Sequence, residues 1–271
     1  MKTRILAAAV LLPVFLVILL VLPAVFTAIL FALIALLGAV ELLSGTKLIR
    51  QPRLVAYSAL FAAVIPVWSY FGCHHAWGIL IVLAFFCLMF MEIMLSGMKL
   101  RVEKVALCMV AALVIPYLLS AVVRIRTMNG GKCLVLLPFV ISMLSDTGAY
   151  FIGCKFGKHK MAPVISPKKS VEGLFGGVAT AVVGMLIYTL IMQLAFDFSV
   201  NYFYAILYGL VGSFAGVFGD LCFSAVKRQV DIKDYANLIP GHGGALDRFD
   251  SAIVVAPLVE ALLILLPVVT K

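Results

Sequence analysis

Aspartate side chains interrupt two strongly apolar stretches of this sequence. Asp146 lies in the run SDTGAYFIG, and Asp220 lies in FGDLCFSAVKR. An ionisable side chain inside such a stretch costs roughly 2–4 kcal/mol unless it faces water or a partner, so both carboxylates are candidate functional groups. Ser224 and Lys227 follow Asp220 by four and seven residues, which predicts a carboxylate, a hydroxyl and an ammonium on one helical face. The alternative is a helix-packing network of the same side chains.

A second segment, SAVKRQVDIKDYANLIPGHGGALDRFDS, is rich in glycine and charge. Its PGHGG run predicts a backbone that approaches a ligand closely and presents N–H groups to it. Two carboxylates follow at a spacing of three residues, so they project from one face of a helix that begins there. Capping of that helix would explain the acids, but it explains neither the glycines nor the second acidic site at Asp220. The candidate residues of this segment are Gly241, His242, Gly243, Gly244, Asp247, Arg248 and Asp250.

A third cluster is basic and has the sequence KFGKHKMAPVISPKKSVEGLFGG. Its lysines precede a glycine-rich helix start, where Ser170 is placed to cap the helix and free N–H groups at 171–173 would favour an anion. The segment is not a Walker loop, because GxxxxGK[ST] is absent. A cytoplasmic loop that binds lipid phosphate accounts for the charge equally well. Our hypothesis is that Lys168 and Lys169 contact a substrate phosphate.

Long apolar segments have to position these groups. The 271 residues are 65% hydrophobic and 12% charged, with a mean hydropathy of +1.19, which excludes an ordinary soluble domain. The segments lack strand alternation and their backbone has to be satisfied inside lipid, so we predict an all-α polytopic membrane protein with about nine transmembrane helices. The predicted spans are Ile5 to Leu22, Ala24 to Leu43, Leu54 to Tyr70, Trp77 to Leu95, Val105 to Val123, Cys133 to Gly153, Leu174 to Phe196, Tyr202 to Val226 and Ala252 to Val269.

The polar motifs are concentrated in the later part of the chain. We therefore predict one membrane-embedded domain over residues 1–271, with a helical scaffold at 1–123 and the catalytic helices and cytoplasmic loops at 133–271. Two short segments are similar in sequence: AVELLSG, at Ala39 to Gly45, and MEIMLSG, at Met91 to Gly97. We interpret each as a helix end with a glutamate near the membrane interface, not as a repeat.

The distribution of basic residues predicts the orientation of the chain in the membrane. With a cytoplasmic N-terminus, all but four of the 21 Lys and Arg residues lie on the cytoplasmic side, as the positive-inside rule expects. The net charge of +9 indicates attraction to anionic head groups of membrane phospholipids and to phosphate-bearing substrates. Nucleic acid is not an expected partner, because there is no soluble basic domain to hold a duplex. The four exceptions are Arg124, Arg126, Lys132 and Lys271.

The motifs resemble the signature of one known family, the phosphatidate cytidylyltransferases, also called CDP-diacylglycerol synthases. The resemblance rests on Ser224-x-x-Lys227-Arg228, on Lys233-Asp234, and on PGHGG followed by the DRxD run at 247–250. It extends upstream to SDTGAYFIG and SPKKSVEG and covers about half of the chain by motif. The whole chain is also similar in length and hydrophobic layout.

This resemblance implies that CTP and phosphatidic acid give CDP-diacylglycerol and pyrophosphate, with Mg²⁺ required, at a bacterial-type inner membrane; a homodimer is also in keeping with it. Both reactants are anionic, so the site has to neutralise charge and align them rather than supply a protein nucleophile. The expected catalytic residues are Asp220, Asp247, Lys227, Arg248 and Lys168. The expected substrate contacts are Lys169, Ser170, Ser224, Arg228, Lys233, Gly241, His242, Gly243 and Gly244. Because Mg²⁺ prefers hard oxygen ligands, the expected metal ligands are Asp220 and Asp247, followed by Asp250 and Asp146.

Three other classes remain as alternatives. A CTP-dependent lipid kinase, similar to dolichol kinases, would release CDP rather than pyrophosphate, and the full signature argues against it. A CDP-alcohol phosphotransferase would need a DGxxAR…GxxxD…D pattern, which the sequence lacks. A transporter would explain the intramembrane aspartates but gives no reason for PGHGGxxDRxD.

Overall fold

The computed structural model describes residues 2–72, 75–236 and 243–270, with side chains from residue 9 onward. Each predicted span corresponds to a helix within these residues. The helices are α1 (Lys2–Leu20), α2 (Ala24–Gly45), α3 (Pro52–Phe71), α4 (His75–Leu95), α5 (Val102–Thr127), α6 (Gly131–Phe156), α7 (Val171–Phe196), α8 (Tyr202–Gln229) and α9 (Leu246–Leu265).

Seven of these helices, α2 to α8, are long and apolar enough to cross a bilayer. The prediction of an all-α polytopic membrane protein is therefore confirmed, and the count of nine spans is approximate. The apolar part found in α1 is Ala9–Leu20. The last helix, α9, includes four charged residues, namely Asp247, Arg248, Asp250 and Glu260.

Two helices change their hydrogen-bond pattern within the span. The end of α2 is a π-helical turn, Glu41–Gly45, and α5 contains a second one at Val110–Val114. Such turns hold one extra residue and alter the direction in which the following side chains point. The turn in α2 contains three buried residues, Glu41, Leu42 and Leu43.

Two small antiparallel sheets complete the described structure. β1 (Lys160–Ala162) pairs with β2 (Ser166–Ser170), and β3 (Ser199–Val200) pairs with β4 (Val269–Thr270). The basic segment, expected as a loop, thus folds as the β1–β2 hairpin. Since β2 leads directly into α7, the hairpin fixes the lysines of β2 relative to the start of that helix.

The chain divides into two compact units. The N-terminal unit is Met1–Thr127 with Asp234–Arg248, and the C-terminal unit is Met128–Lys233 with Phe249–Lys271. The predicted single domain, with its scaffold and catalytic parts, stays a prediction.

In the N-terminal unit, a buried arginine ties α5 to the end of α1. Arg126 is 7% exposed, and its guanidinium donates to the carbonyl oxygens of Leu19 and Leu22 at 2.7 and 3.0 Å. The last carbonyls of a helix lack partners within the helix, and a guanidinium supplies them. Arg126 therefore has a structural role, which accounts for one exception to the positive-inside pattern.

In the C-terminal unit, small residues bring α6, α7 and α8 close together, as is typical of membrane helices. Thr180 on α7 donates to the carbonyl of Leu144 at 2.9 Å, and the hydroxyls of Ser145 and Ser213 are hydrogen-bonded at 2.6 Å. The second bond joins α6 to α8 one residue before Asp146 and two helical turns before Asp220. Helix packing thus sets the positions of both predicted carboxylates.

Candidate active site

An ion pair between Asp220 and Lys169 lies in the polar part of the C-terminal unit. Lys169 comes from β2, and its Nζ is 2.5 Å from Oδ2 of Asp220 on α8; the two side chains are 22% and 28% exposed. Ser224, one turn further along α8, donates to Oδ1 of Asp220 at 3.0 Å. The shared face predicted for Asp220 and Ser224 is confirmed. Both oxygens of this carboxylate are therefore held by neighbouring side chains.

Two more carboxylates lie within electrostatic range of this pair, and a second ammonium lies within range of one of them. Asp146, on α6, interacts with the charges of Lys169 and Asp220. Asp250, on α9, interacts with Asp220, Lys227 and Asp146. Lys227 is only 8% exposed, so its charge is screened little by water. The unit thus groups acidic and basic side chains from four segments that are distant in sequence.

A cavity of about 310 Å³ opens beside the ion pair. Its polar lining consists of Asp146, Ser166, Lys168, Lys169, Ser170 and Asp220. Its apolar lining includes Ala149, Met161, Leu174 and Val217. A cavity with a charged and an apolar part suits a phosphate-bearing head group that is attached to apolar chains.

The end of the hairpin confirms one prediction and corrects another. Ser170 caps α7, because its Oγ accepts the N–H of Gly173 at 3.1 Å. The predicted free N–H groups at 171–173 are wrong at two positions, since Gly173 donates to this cap and Val171 donates to the carbonyl of His159 at 2.9 Å. Buried N–H groups require such partners. An anion at this helix start would therefore depend on the side chains of Lys168 and Lys169 more than on these two N–H groups.

Arg228, expected as a substrate contact, holds the hairpin. Its Nε donates to the carbonyl of Ile165, in the hairpin turn, at 3.2 Å, and its Nη1 donates to the carbonyl of Ile232 at 3.1 Å. These bonds connect the turn to the chain after α8. A contact between Arg228 and substrate stays a prediction, as does one for Lys233, which is exposed.

The remaining predicted residues belong to the N-terminal unit. Asp247 accepts the N–H groups of Gly244 and Tyr235 through Oδ2, at 3.1 and 3.0 Å. Gly243 has φ +80°, a backbone conformation that favours glycine. Arg248 is exposed. Gly241 and His242 lie outside the described residues.

The structure also reveals a buried acid whose role the sequence analysis did not identify. Glu41 is 3% exposed, and its carboxylate accepts the N–H groups of Ala245 and Leu246, both at 2.8 Å. Its position near the membrane interface stays a prediction, and its carboxylate is buried within the N-terminal unit. An ionisable residue in an apolar span was the available signal, but its partners are 204 and 205 residues away in sequence.

The carboxylates of the C-terminal unit fit a hard divalent cation that is shared with a phosphate ligand. Within the described ranges, no three His, Cys, Asp or Glu side chains are grouped closely enough to hold an ion by themselves. Mg²⁺ is usually bound through one or two carboxylates together with phosphate oxygens and water. Asp220, with Asp146 or Asp250 near it, offers this kind of donor set.

The fold and this site together define a polytopic membrane protein with a cavity lined by acidic, basic and apolar side chains. The chain matches the model of the Cytidylyltransferase family over residues 2–266, and it therefore belongs to this family.

Similar proteins carry a more specific name. The phosphatidate cytidylyltransferase of Bacillus subtilis is 34% identical over 272 residues, which cover 98% of each chain. The phosphatidate cytidylyltransferases of Staphylococcus epidermidis and Staphylococcus aureus are each 44% identical over 139 residues, which cover 51% of this chain and 52% of the relative. The chain thus spans about half the length of these staphylococcal relatives and nearly all of the Bacillus one.

Proposed function

We propose that this chain transfers CMP from CTP to phosphatidic acid, giving CDP-diacylglycerol and pyrophosphate. The observation that carries the proposal is the Lys169–Asp220 pair beside a cavity with a charged and an apolar lining. Phosphatidic acid has a charged head group on two apolar chains, and CTP adds further phosphates. The charged lining would therefore contact the phosphates, and the apolar lining would contact the apolar chains. The name of the Bacillus relative, which aligns over 98% of its length, supports the same substrates.

The reaction needs charge neutralisation and alignment more than it needs a protein nucleophile. A phosphate oxygen of phosphatidic acid forms a bond to the α-phosphorus of CTP. The bond from that phosphorus to the oxygen bridging to the β-phosphate breaks, and its electron pair leaves with pyrophosphate. Because both reactants are anions, positioned cations lower the cost of bringing them together. Lys168 and Lys169 line the cavity and supply these charges.

Lys169 is suited to bind an incoming anion. Its Nζ pairs with Oδ2 of Asp220. An ammonium has three N–H donors, so a phosphate oxygen can accept from Lys169 while the pair with Asp220 is kept. Asp220, whose Oδ1 accepts from Ser224, holds this ammonium beside the cavity that both residues line.

Mg²⁺ is the proposed cofactor. Asp220, with Asp146 or Asp250, would hold it, and Asp247 remains a further expected ligand. When bound, the ion supplies positive charge to phosphate oxygens. The chain's own contribution is a set of oriented carboxylates, since Asp220 is fixed by Lys169 and Ser224.

The proposed location is the cytoplasmic side of a bacterial-type inner membrane. The N-terminus, the β1–β2 hairpin and the loop after α8 would face the cytoplasm, where CTP is present, as the distribution of Lys and Arg indicates. Assembly as a homodimer stays a prediction.

The direct test uses CTP labelled at either the α- or the γ-phosphate, with the purified chain in detergent containing phosphatidic acid. Label at the α-phosphate should enter the lipid, while label at the γ-phosphate should leave as pyrophosphate. Entry of the γ-label into lipid with release of CDP would identify a lipid kinase. No consumption of CTP would contradict the proposal and favour a transporter. Release of CMP from CDP-diacylglycerol in the presence of an alcohol would indicate a CDP-alcohol phosphotransferase.

A further inference from the structure

The carboxylate of Glu41 binds a distant segment of the N-terminal unit. It lies in the π-helical turn that ends α2, and only 3% of the residue is exposed. Oε1 accepts the N–H of Ala245 and Oε2 accepts the N–H of Leu246, each at 2.8 Å. Each carboxylate oxygen thus holds one backbone donor just before or at the start of α9.

These two N–H groups have no partner within their own helix, because the first donors of an α-helix face outward from its end. Asp247 takes the preceding N–H, that of Gly244, together with the N–H of Tyr235. Consecutive donors at 244–246 are therefore divided between Asp247 and Glu41. The two acids also interact electrostatically, and the helix N-terminus offsets part of their repulsion.

Gly244 makes room for this arrangement. A Cβ atom at this position would overlap the carboxylate of Glu41. The last glycine of PGHGG is thus required by an acid of the same protein, in addition to any requirement from a ligand. Glu41, Gly244 and Asp247 form one packed set within the N-terminal unit.

We infer that Glu41 is a positioning residue for the reaction. It holds residues 244–246, and through them it fixes the direction in which the Asp247 carboxylate points. This inference rests on the proposed function, in which Asp247 is an expected metal ligand. Glu41 acts through the backbone and is not itself expected to contact substrate.

The test compares Glu41→Gln with Glu92→Gln. Glu92 is a matched control, because it is also buried (6% exposed) and lies in the similar segment MEIMLSG. Its Oε2 pairs with Nη2 of Arg53 at 2.9 Å instead of with α9. In Glu41→Gln one oxygen is replaced by an amide group that cannot accept an N–H, so kcat should fall about 10- to 100-fold. The KM for CTP should change less than about threefold, since the loss lies in alignment rather than in substrate binding. Glu92→Gln should keep kcat within about threefold of the unmodified chain.

Amide hydrogen exchange measures the contact between Glu41 and residues 244–246 directly, without substrate. Peptides covering 243–248 should exchange slowly in the unmodified chain, faster in Glu41→Gln, and unchanged in Glu92→Gln. If Glu41→Gln does not accumulate, Glu41→Asp, whose carboxylate is one methylene shorter, is judged by the same two measurements. Fast exchange at 243–248 in the unmodified chain, or normal kcat and exchange in the Glu41 variant, overturns the inference. An equal loss of kcat in both glutamine variants also overturns it. If the unmodified chain lacks transferase activity, the proposed function fails. The exchange data still show whether Glu41 holds residues 244–246 in place.

Discussion

At the level of single residues, two of the expected metal ligands are carboxylates that already have partners within their own unit. Asp220 is held by Lys169 and Ser224, and Asp247 by two backbone N–H groups. A fixed carboxylate loses little conformational entropy when it binds a ligand, which is the benefit of preorganisation. The charge of each group is therefore expected to matter more than its size.

Asp220→Asn and Asp247→Asn should each lower turnover at least about 100-fold, because asparagine keeps the shape but removes the charge that a hard cation requires. The measurement is CTP incorporation into lipid as a function of Mg²⁺ concentration. Asp231→Asn is the control: Asp231 is exposed at φ +55°, a conformation that asparagine also adopts, so most activity should remain. Normal turnover of both site variants at low Mg²⁺ would show that the proposed metal site is wrong.

Lys169→Gln and Lys168→Gln should each remove a cation that faces the cavity. Loss of one positioned cation costs about 2–4 kcal/mol of transition-state stabilisation, or roughly 30- to 1000-fold in kcat/KM. The assay is performed in detergent without anionic lipid, so that anchoring to lipid cannot contribute. Lys160→Gln serves as the control, because Lys160 is exposed on the same hairpin but is not part of the cavity lining. Full activity of both cavity variants would leave only the anchoring role.

At the level of elements, the sequence predicted the helices but neither the hairpin nor the hydrogen bonds that connect them. Long apolar runs such as that of α7 identify a membrane helix by length and composition alone. The β1–β2 hairpin could not be predicted, because its lysine-rich strands lack apolar alternation. The contact of Glu41 with the start of α9 could not be predicted either, since its partners are 204 and 205 residues away and periodicity reports only local structure.

Close packing of α6 against α7 gives a prediction for Gly177. A Cβ atom there would lie 2.7 Å from the carbonyl oxygen of Ser145, so Gly177→Ala requires a backbone shift and should destabilise the protein by about 1–3 kcal/mol. Gly38→Ala is the control, because its Cβ meets only a side-chain atom of Leu246 at 3.6 Å. Thermal unfolding in detergent, followed by the loss of the monodisperse peak, gives both midpoints. Equal midpoints would contradict the packing argument.

At the level of the whole molecule, lipid rather than water surrounds most of the helical surface. Large apolar side chains such as Leu194, Ile79 and Phe203 are 66–76% exposed, which a water-soluble protein would avoid in such number. Asp234–Arg248, which is distant in sequence from residues 1–127, groups with them in the N-terminal unit. The sequence could not reveal this, because spacing along the chain does not report which helices a loop packs against.

Orientation in the membrane can be tested at the two ends of α7. This helix has 26 residues, so at about 1.5 Å per residue it is about 39 Å long and exceeds the roughly 30 Å apolar core of a bilayer. Val164, 85% exposed in the hairpin turn, precedes the helix, and the exposed Ser199 follows it.

The probes are Val164→Cys and Ser199→Cys, each in a background from which all six native cysteines have been removed, because Cys154 and Cys222 are exposed. The excess of Lys and Arg around the hairpin predicts a cytoplasmic position, since basic loops are retained on that side. An impermeant maleimide should therefore label Ser199→Cys in intact cells and Val164→Cys only after the membrane is opened. The reverse result would invert the proposed topology. Labelling of both in intact cells would show that α7 does not cross the membrane.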